Sequence, residues 1–164
     1  MTDKQNQSFI RQTKSEYPGY NLRHLSHLTI GETDYFDPDQ ISWINERLGI
    51  TNLVGAFSAA DDNCFIINTA GEIDSPSNVK HPVDPRVGPA KLKERLDFIA
   101  DEIHRVMETT DRKIVVHCYM GMERSVLSVV WYLTKYHHKS MDEAYFEIGQ
   151  IRPIAIDHSS WVNE

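Results

Sequence analysis

A nine-residue stretch, His117–Ser125, constrains this chain more than any other part of its sequence. It reads His-Cys-Tyr-Met-Gly-Met-Glu-Arg-Ser, so that five residues separate Cys118 from Arg124. An apolar run at 114–116 precedes it, and a helical pattern of apolar residues at 126–136 follows it. This order predicts a strand, then a tight loop, then the N-terminus of a helix.

A loop in front of a helix forms an anion site, because its backbone amides and the helix dipole favour negative charge. The same field favours a thiolate, so that Cys118 can act as a nucleophile near neutral pH. The planar guanidinium of Arg124 can bind two phosphate oxygens together, and Gly121 supplies the unusual backbone angles of a tight loop. A buried core cysteine after a strand is the alternative, which the spacing of the glycine and arginine disfavours. The stretch therefore predicts a phosphate site that contains a nucleophile.

Length and charge limit the class of protein. The chain has 164 residues, enough for one domain with a real core, and its formal charge is −7. This charge argues against nonspecific binding to nucleic acid or to anionic membranes. No apolar run approaches a membrane span, and the polar start does not resemble a signal peptide. Two cysteines give no disulfide framework, so we expect a reducing, cytoplasmic location; the histidines show no metal spacing, and we expect no cofactor.

The rest of the chain predicts strands that alternate with helices. Such a pattern indicates a single α/β domain with a central, mainly parallel sheet and helices on both faces. A polar, aperiodic arm at 1–20 precedes the domain, which we place at 21–164. The stretch 74–89 contains four prolines and is predicted to be a loop. The predicted strands are 25–30, 50–57, 64–67 and 114–116, and the predicted helices are 37–48, 89–107, 126–136 and 140–151.

The nine-residue stretch resembles the signature of the cysteine-dependent protein tyrosine phosphatase superfamily. The cysteine, the arginine, the preceding histidine, the glycine and the following serine all match. Further along the chain, Leu48-Gly49-Ile50, the Pro-x-Asp sequence at 82–84, the long amphipathic helix and Arg152-Pro153 resemble the compact dual-specificity branch. The resemblance implies a catalytic domain at 21–164 that hydrolyses phosphate monoesters without a metal.

The resemblance also implies roles for individual residues. Cys118 would attack phosphorus, Ser125 would donate a hydrogen bond to its sulfur, and His117 would orient the loop. The residues expected to bind the phosphate group are Tyr119, Met120, Gly121, Met122, Glu123 and Arg124. The side chains of Tyr119, Met120, Met122 and Glu123 are expected to form the rim of the site.

A general acid has to protonate the leaving group. The family places it on a loop about thirty residues before the cysteine, where this chain has His81-Pro82-Val83-Asp84-Pro85. We therefore predict Asp84 as the acid, with Asp74 and Asp97 as weaker candidates. An aspartate that only shapes the turn before a proline is the alternative.

Two residues have less obvious roles. A carboxylate at Glu123 would repel a phosphate dianion, so we expect its side chain to point outward to solvent, with a direct role in the site as the alternative. Cys64 is expected to be a small core residue in a strand; the alternative is a resolving cysteine that forms a disulfide with oxidised Cys118.

The leading interpretation is a protein-tyrosine/dual-specificity phosphatase that works through a phosphocysteine intermediate. The loop lacks lysine, which favours a phosphorylated hydroxyl of a protein over a head group with several phosphates. The alternatives are a phosphatase for RNA 5′ ends, phosphoinositides or another small phosphate, and a phosphate-binding pseudophosphatase. The expected partner is a phosphorylated protein, not a nucleic acid or a membrane, and the oligomeric state stays open.

Overall fold

Five strands form one sheet in the computed structural model, which describes residues 36–163. They are β1 (Ser42–Trp43), β2 (Leu48–Thr51), β3 (Phe65–Asn68), β4 (Val79–Lys80) and β5 (Ile114–His117). The order across the sheet is β1-β2-β5-β3-β4. β1 runs antiparallel to β2, and the other neighbouring strands run parallel. The fold described is that of the unit that begins at Pro38.

The three central strands end together at one edge of the sheet. Thr51 of β2 and Asn68 of β3 both pair with His117 of β5, the residue directly before Cys118. All residues of these three strands are buried, as expected for parallel strands that are covered on both faces. The sheet therefore brings the cysteine loop to the carboxyl edge of its central strand.

Within residues 36–163, four α-helices cover the two faces of this sheet: α1 (Leu53–Asp61), α2 (Pro89–Thr109), α3 (Arg124–His137) and α4 (Met141–Ile151). On one face, Ala59 of α1 packs with Ile66 and Val115. On the other face, α2, α3 and α4 share one large apolar cluster with the alternate strand residues, including Ile67 and Val116. This confirms the predicted α/β fold with helices on both faces.

The predicted helix at 37–48 is wrong, because this region contains β1 and the turn that leads to β2. Gly49 does not end a helix; it pairs with Trp43 across the antiparallel strands. A Cβ at Gly49 would lie 2.5 Å from Cγ2 of Ile41 and 2.9 Å from Cε3 of Trp43. The glycine is thus needed for close packing, a use that resembles a helix terminator in sequence.

The predicted strand at 50–57 is correct only for its first two residues. Asn52 ends β2 and begins α1, since its side chain accepts a hydrogen bond from the Gly55 N–H at 2.9 Å. The structure confirms the other predicted elements in the described residues, with small changes at their ends. They are the strands at 64–67 and 114–116 and the helices at 89–107, 126–136 and 140–151. The predicted arm at 1–20 and strand at 25–30 lie outside the described residues. No helix in the described part of the chain is long and apolar enough to cross a membrane.

Arg47 gives a prediction about stability, because its guanidinium donates hydrogen bonds to carbonyl oxygens at the end of α2 and beyond. The bonds to Met107 O, Thr110 O and Arg112 O measure 3.0, 2.7 and 2.8 Å. Arg47→Leu leaves these acceptors without a donor, so we expect the free energy of unfolding in urea to fall by about 1–3 kcal/mol.

The matched control is Arg105→Leu. Arg105 forms an exposed ion pair with Glu102 on the surface of α2, at 2.6 Å. Such pairs contribute about 0–1 kcal/mol. Equal losses in the two variants would contradict a special role for Arg47.

Candidate active site

The cysteine loop connects β5 to α3 and places the sulfur of Cys118 among hydrogen-bond donors. Cys118 is fully buried. Its Sγ accepts the Gly121 N–H at 3.3 Å and lies 3.2 Å from Oγ of Ser125. An amide and a hydroxyl that can both donate to sulfur stabilise a thiolate, so the arrangement suits a nucleophile.

Gly121 has a backbone conformation that favours glycine, with φ of +68°. A Cβ at this position would also lie 2.7 Å from Thr51 O and collide with the guanidinium of Arg152. Arg152 is fully buried, and its Nε donates to Gly121 O at 2.6 Å. The same guanidinium donates to Ser42 Oγ and Pro38 O, at 2.9 and 3.0 Å. Arg152 therefore holds the back of the loop, a role that the sequence did not reveal.

The ring of His117 is fixed by a hydrogen bond at each nitrogen. Nδ1 lies 3.0 Å from Cys118 O, and Nε2 lies 2.8 Å from Ser75 Oγ. Burial lowers the pKa of His117, so the ring is neutral near pH 7. Because a carbonyl oxygen can only accept, Nδ1 carries the proton and Nε2 accepts from the Ser75 hydroxyl. His117 thus orients the peptide that follows Cys118.

Arg124 begins α3 and is almost completely buried. Burial lowers its pKa to about 10, which still leaves it charged at neutral pH. Its Nη1 lies 2.8 Å from both carboxylate oxygens of Glu72, a residue on the loop after β3 whose side chain is 54% exposed. Sequence reasoning missed Glu72, since only the fold brings it to Arg124.

Asp84 lies at the start of a short 3₁₀ turn, Pro85–Val87, where its carboxylate pairs with Arg86. Its carboxylate accepts the Arg86 N–H at 2.9 Å and pairs with the Arg86 guanidinium at 2.9 Å. The hydrogen bond from Arg86 lowers the pKa of Asp84. Of the weaker candidates, Asp74 pairs with Lys80 in solvent, and Asp97 accepts from Trp131 Nε1 at 2.8 Å. The acid role of Asp84 stays a prediction.

The prediction that Glu123 points outward is wrong, because its side chain is fully buried. The C-terminal segment covers it: the Ile156 N–H donates to Met122 O at 3.0 Å, and Nε2 of His158 lies 3.8 Å from Oε1 of Glu123. Met120 and Met122 are buried as well, so the predicted rim of loop side chains reduces to Tyr119, which is 43% exposed. The rim prediction failed because a local pattern does not indicate which distant segment packs over a loop.

Cys64 lies in the core, packed with Ala59, Ile66 and Val115. It precedes Phe65, which pairs with Ile114, so it lies at the opposite edge of the sheet from Cys118. Cys64 is level with residue 113 of the neighbouring strand, five residue steps before Cys118, which is roughly 16 Å at the usual rise. A disulfide needs Cα atoms within about 7 Å. The core interpretation of Cys64 therefore holds in this fold.

The described residues offer no cluster of metal-binding side chains. Residues 36–163 contain no group of three His, Cys, Asp or Glu side chains arranged to hold a metal ion.

Known proteins share this combination of sheet, cysteine loop and following helix. The family model for the "Dual specificity phosphatase, catalytic domain" matches residues 64–163, from β3 through the cysteine loop to the C-terminal segment. The chain belongs to the dual-specificity phosphatase family. The match confirms the prediction from the motif that the chain belongs to the compact branch of the cysteine-dependent phosphatase superfamily.

Individual relatives agree with this assignment. Human dual specificity protein phosphatase 26 is 42% identical over 55 residues, which cover 34% of this chain and 26% of that protein. Mouse dual specificity protein phosphatase 18 is 29% identical over 129 residues, 74% of this chain and 68% of that protein. The crystal structure of human DUSP28 superposes with a TM-score of 0.64 and 17% identity, over 76% of this chain and 88% of that one. The last comparison supports the fold.

Glu72 gives a prediction for this phosphatase domain. Since its carboxylate fixes one end of the Arg124 guanidinium, Glu72→Leu should let the fork turn away from the phosphate position. We expect kcat/KM for an aryl phosphate to fall about tenfold or more, the loss of roughly one charge-assisted hydrogen bond.

The control is Glu102→Leu, which removes an exposed ion pair to Arg105 on α2 and should leave kcat/KM unchanged. A Glu72→Leu variant that keeps its kcat and binds oxyanions more tightly would contradict the prediction. In that case Glu72 would only compete with phosphate for Arg124.

Proposed function

We propose that this chain is a protein-tyrosine/dual-specificity phosphatase that works through a phosphocysteine intermediate. The observation that carries the proposal is the sulfur of Cys118, buried in the loop before α3 and within reach of the Gly121 amide and the Ser125 hydroxyl. A sulfur in this position is both activated and next to a site for phosphate oxygens. Family membership supports the same activity.

The first step transfers the phosphoryl group to sulfur. The Cys118 thiolate forms a bond to phosphorus while the bond from phosphorus to the leaving oxygen breaks. Arg124 and the loop amides stabilise the three equatorial oxygens in the transition state. Glu72 contributes by holding Nη1 of Arg124 at 2.8 Å, which fixes the orientation of the guanidinium that meets these oxygens.

Asp84 completes both steps as the general acid and then the general base. It gives its proton to the leaving oxygen, and its carboxylate then takes a proton from the water that attacks the phosphocysteine. This attack releases inorganic phosphate and the thiolate, which the Ser125 hydroxyl stabilises. Because Asp84 is paired with Arg86, it has to leave this ion pair to take up a proton and reach the leaving group.

The surface of the loop favours a phosphorylated protein side chain as the substrate. Tyr119 is the exposed loop side chain, and it offers an aromatic face beside the entrance. The loop supplies one cation, Arg124, which suits a single phosphate rather than a head group with several. A thiolate enzyme needs a reduced cysteine, so we place the protein in the cytoplasm.

Cys118→Ser tests the function. We expect it to abolish turnover of phosphotyrosine peptides and of a generic aryl phosphate, while tungstate still binds in isothermal titration calorimetry, because the loop amides and Arg124 remain. The wild-type protein is compared on phosphotyrosine, phosphoserine and phosphothreonine peptides, phosphoinositides and 5′-triphosphate RNA.

Turnover that survives in Cys118→Ser would refute the covalent mechanism. A wild-type protein that binds tungstate but hydrolyses nothing on the panel would indicate a pseudophosphatase. A wild-type protein that hydrolyses RNA or phosphoinositides in preference to phosphopeptides would show that its substrate belongs to that other class.

Asp84 and Arg86 together give a prediction about pH dependence. Asp84→Asn should lower kcat by about 10²–10⁴, and less for substrates with good leaving groups. Arg86 favours the ionised form and lowers the pKa of Asp84, so Arg86→Leu should raise that pKa. More Asp84 is then protonated at a given pH, and the basic limb of the kcat profile moves to higher pH.

Lys80→Leu serves as the control because it removes the cation that pairs with Asp74. We expect the basic limb of its kcat profile to lie at the same pH as in the wild type. If Asp74→Asn and Lys80→Leu instead produced these changes, Asp74 would be the acid.

A further inference from the structure

A buried glutamate and a buried histidine face each other behind the cysteine loop. Glu123 stands at the start of α3, directly before Arg124, and is 0% exposed. Its Oε1 lies 3.8 Å from Nε2 of His158, whose side chain is 8% exposed. The mechanism derived above uses neither residue, although one of them adjoins the residue that binds phosphate.

The carboxyl group of Glu123 accepts no hydrogen bond from the described residues: neither of its oxygens has a partner there, and the side chain does not cap α3. An ionised carboxylate in this state would lose its hydration without compensation, which is strongly unfavourable. The arrangement is stable only if Glu123 is neutral or if a cation lies against it.

His158 occupies a fixed position opposite this carboxyl group. Its ring stacks on Trp161 with the centroids 3.8 Å apart, and its backbone N–H donates to the Tyr145 hydroxyl at 3.0 Å. The segment that carries it is joined to the loop through Ile156 N and Met122 O. The imidazole is therefore held at ion-pair distance from the Glu123 carboxyl group, where the charge of each group affects the other although 3.8 Å is longer than a hydrogen bond.

We propose that Glu123 and His158 hold one proton between them, which keeps the start of α3 uncharged while the loop binds a phosphate dianion. With the proton on Glu123, a neutral acid faces a neutral imidazole; with the proton on His158, the two charges cancel. Either form removes the repulsion that a lone carboxylate would exert on phosphate. Glu123 and His158 thus act as positioning residues for the anion site. The inference rests on the proposed phosphate-binding role of the loop but not on turnover.

Burial supports this distribution of charge. It raises the pKa of Glu123 to about 8 and lowers the pKa of His158 to about 4. Both directions favour the neutral forms, so the shared proton stays mainly on Glu123 near pH 7. Above about pH 8 the pair loses this proton and leaves a buried negative charge beside Arg124.

Other charged and titratable groups lie on the elements packed around the pair. They are Cys118 in the loop, Arg124 on α3, Tyr145 on α4, Arg152 after α4, and Asp157 in the C-terminal segment. The guanidinium of Arg152 is committed to carbonyl and hydroxyl oxygens. Arg124, with a pKa of about 10, loses charge only at higher pH than the pair. Asp157 adds negative charge and opposes the effect of burial on His158.

The experiment compares tungstate binding by the wild type and by Glu123→Gln at pH 7 and pH 9, using isothermal titration calorimetry. Tungstate is a dianion throughout this range. We expect the wild type to lose about tenfold in affinity, the order of magnitude for a new charge close to a bound anion. Glu123→Gln cannot ionise and should lose less than about twofold.

Glu108→Gln is the matched control, since it removes the same charge from an exposed position at the far end of α2. It should behave as the wild type does. Equal pH dependence in the wild type and Glu123→Gln would overturn the proposal. A wild type that does not bind tungstate at pH 7 would instead refute the proposed function.

A direct titration covers the case in which Glu123→Gln does not fold. Carboxyl ¹³C-labelled glutamate in the wild-type protein should show one carboxyl group that titrates near pH 8, and this signal should be absent from Glu123→Ser or Glu123→Gln, whichever folds. If every glutamate ionises in the ordinary acidic range, near pH 4–5, the proposal is wrong.

Discussion

Arg152 donates hydrogen bonds to two distant segments of the chain, residues 38–42 and the cysteine loop, where its acceptor is the carbonyl oxygen of Gly121. A loop that turns its amides inward to hold an anion has to turn carbonyl oxygens outward. These carbonyls are buried here, and a buried acceptor without a donor costs about 1–3 kcal/mol. Arg152 supplies that donor and also binds Ser42 and Pro38, so the inward orientation of the amides depends on it.

The elements that the sequence predicted well are those whose signals are local. The helix at 89–107 has a long apolar stripe, and Ser140 and Glu143 form the capping box that begins α4. The cysteine loop was equally clear, since its spacing and its flanking apolar runs all lie within a short stretch. These features require no knowledge of distant contacts.

The features that the sequence did not predict depend on distant contacts. Gly49 resembles a helix terminator, but it is a glycine because Ile41 and Trp43 pack against it. Glu123 was expected in solvent, but the segment around His158 covers it. Glu72 carries no motif, and only the turn after β3 brings it to Arg124. Each error concerns a residue whose environment is made by residues far away in the chain.

The position of Arg152 has a consequence for the order in which the protein becomes competent during synthesis. Its bond to Ser42 joins residues 110 positions apart, and it lies near the C-terminal end of the catalytic domain. A ribosome-bound chain that already contains Cys118 and Arg124 still lacks the donor that orients the loop. The bond from Arg152 to Gly121 O can therefore form only after α4 has been made and has docked, so the loop around Cys118 takes its final shape late in synthesis.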